Sequence, residues 1–117
     1  GARISLTVRD AGDRRFLGAV VLMAGAPERP QDPAAPQALE IAYWVAPGER
    51  RAGVASRAVA LVAAWARGAP GVELVWAEID PANAASRRVV LSSGFAEGER
   101  LEREGGTVVV FRLRTAV

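Results

Sequence analysis

Residues 43–59 read YWVAPGERRAGVASRAV, and the way this stretch is read decides the fold. It opens apolar, like a buried strand, and breaks at Pro47-Gly48. It then passes Arg50, Arg51 and Gly53 into an alanine-rich helix. A helix start exposes unpaired backbone N–H groups and a partial positive charge. Gly53 and Ala55 carry little or no side chain, so an anion can approach those amides closely. Arg50 and Arg51 add guanidinium forks that match phosphate geometry. The stretch is not a Walker A loop, because no Gly-Lys-Ser/Thr ending follows, and no Gly-x-Gly-x-x-Gly fingerprint is present. Alone, an R-x-x-G-x-A string also suits an ordinary strand–helix turn with solvent-facing arginines.

Working outward, Ile4, Leu6 and Val8 alternate with polar neighbours and predict a half-buried strand. AGDRR is a turn, and RFLGAVVLMAG is a second, more buried strand that pairs with the first as a hairpin. Residues 26–37 hold Pro27, Pro30, Pro33 and Pro36, so they read as an extended loop on leaving that strand. ALEIAYWVAP is a third strand. From about residue 51 to 67, Val54, Ala58, Leu61, Val62 and Trp65 recur at helical spacing, leaving Arg57 and Arg67 outside. Gly68 and Pro70 end that helix. VELVWAEID is a fourth strand, with Val72, Leu74, Trp76 and Glu78 on one side. PANAASRRVVLSSGF is a second helix starting around Asn83 and bounded by Gly94, and a closing hairpin turns at Gly105-Gly106. The order β-β-β-α-β-α-β-β places a strand–helix–strand crossover over residues 38–80, which implies a parallel pair. The expected class is α+β: one domain over residues 1–117, with a mixed, mostly antiparallel sheet of about six strands and two helices.

Composition narrows the chemistry. With 117 residues the chain has room for one core. It has neither cysteine nor histidine, which removes disulfides, thiolate nucleophiles, cysteine–histidine zinc sites and an imidazole base. Acid–base work falls to carboxylates, Tyr43, a substrate amine or water, and no metal is called for. All fifteen basic residues are arginine and the net charge is +2. They are scattered without interleaved aromatics, which argues against a nucleic-acid surface. No apolar run reaches membrane-spanning length, and GARISLTVRD lacks a signal-peptide layout, so the expectation is a cytoplasmic protein with no membrane partner. Richness in Ala, Arg, Gly and Val suggests a GC-rich, bacterial coding genome.

A second constellation gives the first its meaning. DPANAASRRVVLSSGF follows the fourth strand and sets Asn83 and Ser86 one helical turn apart; capping is the commoner use of such residues. Taken together, EIAYWVAPGERRAGVASRAVALVAAWA and IDPANAASRRVVLSSGF resemble the GNAT superfamily of acyl-CoA N-acyltransferases over residues 39–95, and within it the ribosomal-protein N-terminal acetyltransferase-like branch.

The resemblance implies that the anion is the pyrophosphate of acetyl-CoA (coenzyme A). It implies backbone amides from the segment Arg50, Arg51, Ala52, Gly53, Val54 and Ala55, and pantetheine contacts from the backbone of Trp44 and Val45. The third and fourth strands would splay apart around the cofactor. Asn83 and Ser86 would face the pantetheine and thioester end, and Arg88 the nucleotide phosphate. A primary amine, at a protein N-terminus or on a small molecule, would attack the thioester directly, with strand amides polarising the carbonyl. Glu40 is the preferred acceptor of the amine proton, with Glu78 second; Ser86 is the candidate donor to the departing thiolate, and Tyr43 is a further possible acid. Trp44, Trp65 and Trp76 are expected in the core or a pocket wall. The family also carries a strand and one or two helices ahead of the first hairpin, and the resemblance implies that this sequence begins after them. The bare sheet edge that results would suit a homodimer or a complementing chain. Two other readings stand beside the enzyme: a non-catalytic acyl-CoA-binding or interaction domain of the same fold, and a generic nucleotide site.

Overall fold

The computed structural model describes residues 3–50 and 53–115. Six strands form one sheet: β1 (Arg3–Arg9), β2 (Phe16–Ala24), β3 (Ala38–Val45), β4 (Leu74–Ile79), β5 (Ala96–Arg103) and β6 (Gly106–Arg114). Their spatial order is β1-β2-β3-β4-β6-β5. All pairings are antiparallel except β3 with β4, joined through the helix α1 (Val54–Gly68). A second helix, α2 (Ala84–Ser92), links β4 to β5. The expected α+β class and element order hold.

The decisive irregularity is between the parallel strands. Their ladder has three rungs, Ala38 with Leu74, Leu39 with Val75 and Glu40 with Trp76. β3 stays paired to β2 as far as Val45, and β4 to β6 as far as Ile79. Beyond Glu40 the two central strands therefore diverge, and the facing backbone edges of both are left without a sheet partner.

The sheet buries both faces unequally. Val20, Leu22, Ile41, Val75, Ala77, Ile79, Val109 and Phe111 pack on one side against Ala58, Val59, Val62, Ala63 and Ala66 of α1 and Val90 of α2. On the far side Ala38, Leu74, Trp76 and Val110 form a smaller cluster, covered by Ala26 and Leu101. Alternation along a strand assigns Glu40 to the far face with Ala38, and Glu78 with Trp76.

Several local expectations are corrected. Helix α1 begins at Val54 rather than residue 51, and it turns its alanines inward. Leu61 is 71% exposed and Trp65 47%, while Val59, Ala63 and Ala66 are buried. Small residues let the helix lie close on the sheet, and that rotates the two large side chains outward. Of the three tryptophans, Trp76 in the core and the half-exposed Trp44 on a pocket wall meet the expectation, and Trp65 does not. Strand β1 is an edge strand whose Ile4 and Leu6 are also half exposed, not half buried as one covered face would give. Val72 precedes β4 and packs with the helix-side core, opposite to Leu74. Residues 26–37 fold into turns rather than running extended. Asp32 accepts from the Ala34 amide at 2.9 Å, and the buried indole N–H of Trp76 donates to the Gly25 carbonyl at 2.7 Å.

Candidate active site

At the helix side of the strand divergence lies a cleft of about 830 Å³. Tyr43, Trp44 and Val45 come from the unpaired stretch of β3; Arg50 comes from the turn, and Gly53, Val54 and Ala55 from the start of α1. Asn83, Ser86 and Arg88 come from α2. These residues, all singled out from sequence, thus share one cavity, although Trp44 and Asn83 lie on opposite sides of a helix and a strand in chain order. Arg51 and Ala52 lie outside the described residues. Glu40 does not line this cavity; it stands at the apex of the divergence, facing the opposite side of the sheet.

The turn that delivers the cradle is set by Pro47–Glu49, one 3₁₀ turn. Arg15, from the β1–β2 connection, holds Glu49 with Nε to Oε1 at 2.5 Å and Nη2 to Oε2 at 3.3 Å. Sequence reasoning missed both residues, since 34 positions separate them and neither belongs to a motif. Their pairing neutralises a carboxylate that would otherwise oppose an anion in the cleft. Gly53 is the N-cap of α1 in the left-handed region, with φ of 74°, and no side chain caps the helix there. The first-turn amides therefore face the cleft without a side-chain acceptor. Arg50 Nε reaches back to the Val45 carbonyl at 3.4 Å.

On the α2 side, Asn83 is the N-cap, its Oδ1 accepting from the Ser86 amide at 3.0 Å. The Tyr43 hydroxyl is shut off from solvent without a hydrogen bond of full geometry, although the Ser86 side chain adjoins it. Burial raises its pKa, and Ser86 partly offsets the rise.

Across the sheet, the Glu40 carboxyl is pushed up to about 7. Burial is the main cause and the negative charge of Glu78 the second, with Arg103 pulling the other way. Glu78 itself is held by Arg103, whose Nε donates to Oε2 at 2.8 Å. The molecule thus pairs an electropositive cleft on one face of the divergence with a carboxyl poised near neutrality on the other.

The model of the acetyltransferase (GNAT) domain matches residues 1–96. The chain belongs to the GNAT acetyltransferase family. As a member it is an acetyl-CoA-dependent acetyltransferase, and the expected fold, enzyme class and cofactor stand. Solved GNAT structures repeat the architecture. A mutant of spermidine N-acetyltransferase SpeG from Vibrio cholerae superposes with a TM-score of 0.81 at 16% identity, covering 98% of this chain and 67% of that one. A GNAT-family acetyltransferase from Bacillus anthracis gives 0.80 at 17%, covering 95% and 66%. An aminoglycoside acetyltransferase solved with coenzyme A and kanamycin gives 0.80 at 12%, covering 97% and 67%. The chain thus spans about two thirds of the length of these structures. At such identities the likeness concerns the fold. No curated protein sequence gives a significant match. Among the described residues no helix is long and apolar enough to cross a membrane.

The cleft suits the cofactor. Free amides at the α1 N-terminus and Arg50 offer an anion site, and the unpaired edge of β3 offers donors and acceptors to an amide-bearing arm.

Proposed function

We propose that this protein acetylates a primary amine, with the cofactor in the helix-side cleft and the amine approaching from the far face at Glu40. Acetyl-CoA, when bound, supplies the activated acetyl group. The amides of Gly53, Val54 and Ala55, with Arg50, hold its diphosphate, and Arg51 and Ala52 belong to the same segment. The backbone of Trp44 and Val45 orients the pantetheine arm, Asn83 and Ser86 flank it, and Arg88 serves the nucleotide end. Glu40 takes the proton from the incoming ammonium group. A base with a pKa near 7 is ionised often enough to accept that proton and basic enough to keep it. The sequence holds no cysteine, and no enzyme nucleophile is needed when the amine attacks directly.

The observation that carries this reading is that the parallel ladder ends at Glu40, so a carboxyl raised to about 7 stands where the two strands part, on the sheet face opposite the cleft. The likeness of residues 39–95 to the ribosomal-protein N-terminal acetyltransferase branch makes a peptide N-terminus one acceptor class. Small amines are the other, represented by spermidine and kanamycin among the solved structures of the same fold.

The test is calorimetric titration with acetyl-CoA, dephospho-CoA and ATP, followed by an acetylation screen over peptides, polyamines and aminoglycosides. Saturable acetyl-CoA binding that ATP does not reproduce is expected, with Gly53→Glu abolishing it. Glu40→Gln should retain binding and lose about 10²-fold or more in turnover, the lower range for general base catalysis. Binding without turnover on any amine would instead favour a non-catalytic acyl-CoA-binding domain.

A further inference from the structure

Three charged side chains, Glu40, Glu78 and Arg103, meet on the far face of the sheet, and two of them have no role in the reaction as proposed. Arg103, near the end of β5, donates from Nε to Glu78 Oε2 at 2.8 Å and from Nη2 to the Pro27 carbonyl at 2.9 Å. It is the strut between the β5–β6 hairpin, the carboxylate of β4 and the proline-rich loop. Its side chain is 30% exposed and that of Glu78 19%, so this junction is screened from water far more than a surface pair. Glu40, by contrast, has no ion-pair partner among the described residues.

We propose that Arg103 is a positioning residue for acetyl transfer: by tying the Glu78 carboxylate to the loop at Pro27, it leaves Glu40 as the carboxylate that meets the acceptor amine. The inference rests on the amine-acetylation reading above and adds to it the device that separates two like-charged neighbours. Without the tie, Glu78 is free to swing toward Glu40, and two carboxyl groups in one site share a proton rather than act independently.

The surroundings of Glu40 leave this pair as the controlling charges. On β2 its register partner is Met23, which is uncharged. On β4 the facing residues are Trp76 and Glu78, and β5 contributes Arg103. The loop charges are engaged elsewhere: Arg29 pairs with Asp32 at 3.9 Å, and the charge of Glu28 acts on Arg112, which binds Glu99. Both Glu78 and Arg103 act on the Glu40 carboxyl, in opposite directions.

The experiment compares the full chain with Arg103→Gln, Arg103→Lys, Glu78→Gln and the Arg103→Gln/Glu78→Gln double variant. Two readouts are taken: the pH profile of kcat/KM on an amine found in the screen, and a carbon-13 NMR titration of the Glu40 carboxyl. Arg103→Gln should move the acidic limb and the NMR titration upward. Acetylation should then fall about tenfold more at pH 6 than at pH 9, the change that one unit of pKa gives. Arg103→Lys should recover most of the limb, and acetyl-CoA affinity should not change, because the cofactor cleft lies on the other face. In the Glu78→Gln background, loss of Arg103 should move the titration distinctly less, by the direct effect of its charge on Glu40 alone.

An equal upward shift with and without Glu78 would overturn the proposal, since Arg103 would then act on Glu40 by its charge alone and not through Glu78. So would a pH-independent loss that follows a lowered melting temperature, the mark of a loop anchor alone. If no amine is acetylated by the unaltered chain, the functional reading fails while the NMR titration still decides whether Arg103 governs the carboxylate pair.

Discussion

Glu40 of β3 and Trp76 of β4 face each other at the last rung of the parallel ladder. Trp76 uses that position to seal the far face, fully buried with its indole bonded to the Gly25 carbonyl. Glu40 uses it to stand where the strands part. One rung therefore joins the residue that closes the far face to a carboxyl at the point where the strands part.

Glu40 makes stability depend on pH. Its folded pKa is raised from 4.5 to about 7 by burial and by Glu78. A raised carboxyl pKa means that the folded state favours the protonated form. Its contribution is fully present below about pH 4.5 and is lost as pH rises through about 7. Urea midpoints should fall between pH 5 and pH 8, and Glu40→Gln should flatten that part of the curve. Glu99, held down at about 2 chiefly by its hydrogen bond with Arg112, acts in the opposite sense and only in acid. An unchanged slope in Glu40→Gln would assign the dependence to other groups.

Trp76→Phe keeps most of the buried area and removes one donor. The Gly25 carbonyl then loses its buried partner, at a cost of about 1–3 kcal/mol. Trp76→Ala should cost more, about 3–5 kcal/mol, through the cavity it leaves. Urea denaturation reads both values, and proteolysis within residues 26–37 should accelerate in each variant.

Asn83 separates a cap from a contact. Asn83→Ala should lose about 1 kcal/mol of stability as the Ser86 amide loses its acceptor. Asn83→Asp keeps the cap but adds negative charge to the cleft proposed to hold the diphosphate. Melting temperature should hold in Asn83→Asp while calorimetry shows weaker acetyl-CoA binding. Unchanged affinity would make Asn83 purely a helix cap.

Tyr43→Phe removes a buried hydroxyl that adjoins the Ser86 side chain. Stability should fall by no more than about 1.5 kcal/mol, the upper net worth of one hydrogen bond, here to Ser86. If the hydroxyl acts as an acid in transfer, kcat falls at constant melting temperature. Loss of both together would make it a packing residue.

Much of the lining of the candidate site was legible because the relevant signals are local. Pro47-Gly48 stops a strand, Gly53 permits a left-handed cap, and Asn83 lies three residues before Ser86; each depends on neighbours within one turn of chain. The Arg15–Glu49 clasp and the Arg103–Glu78–Pro27 junction were not legible. Their partners are 34, 25 and 76 positions apart, and no periodicity links them. Helix α1 shows the same boundary within one element. The apolar period located the helix, but Leu61 and Trp65 lost the inward face to alanines, because the distance between helix and sheet is set by packing and not by hydrophobicity alone.

By itself the sequence determined the order of elements, the parallel crossover, the glycine turn into α1 and the absence of thiol and imidazole side chains, all of which follow from residue type and near-neighbour spacing. Tertiary structure alone decided where the parallel ladder ends, and with it which face Glu40 serves and which charges surround it. A strand's partners are chosen across the sheet. Hydrogen-bond register there is a property of three strands at once, and a carboxyl's pKa depends on burial and on charges brought from other elements.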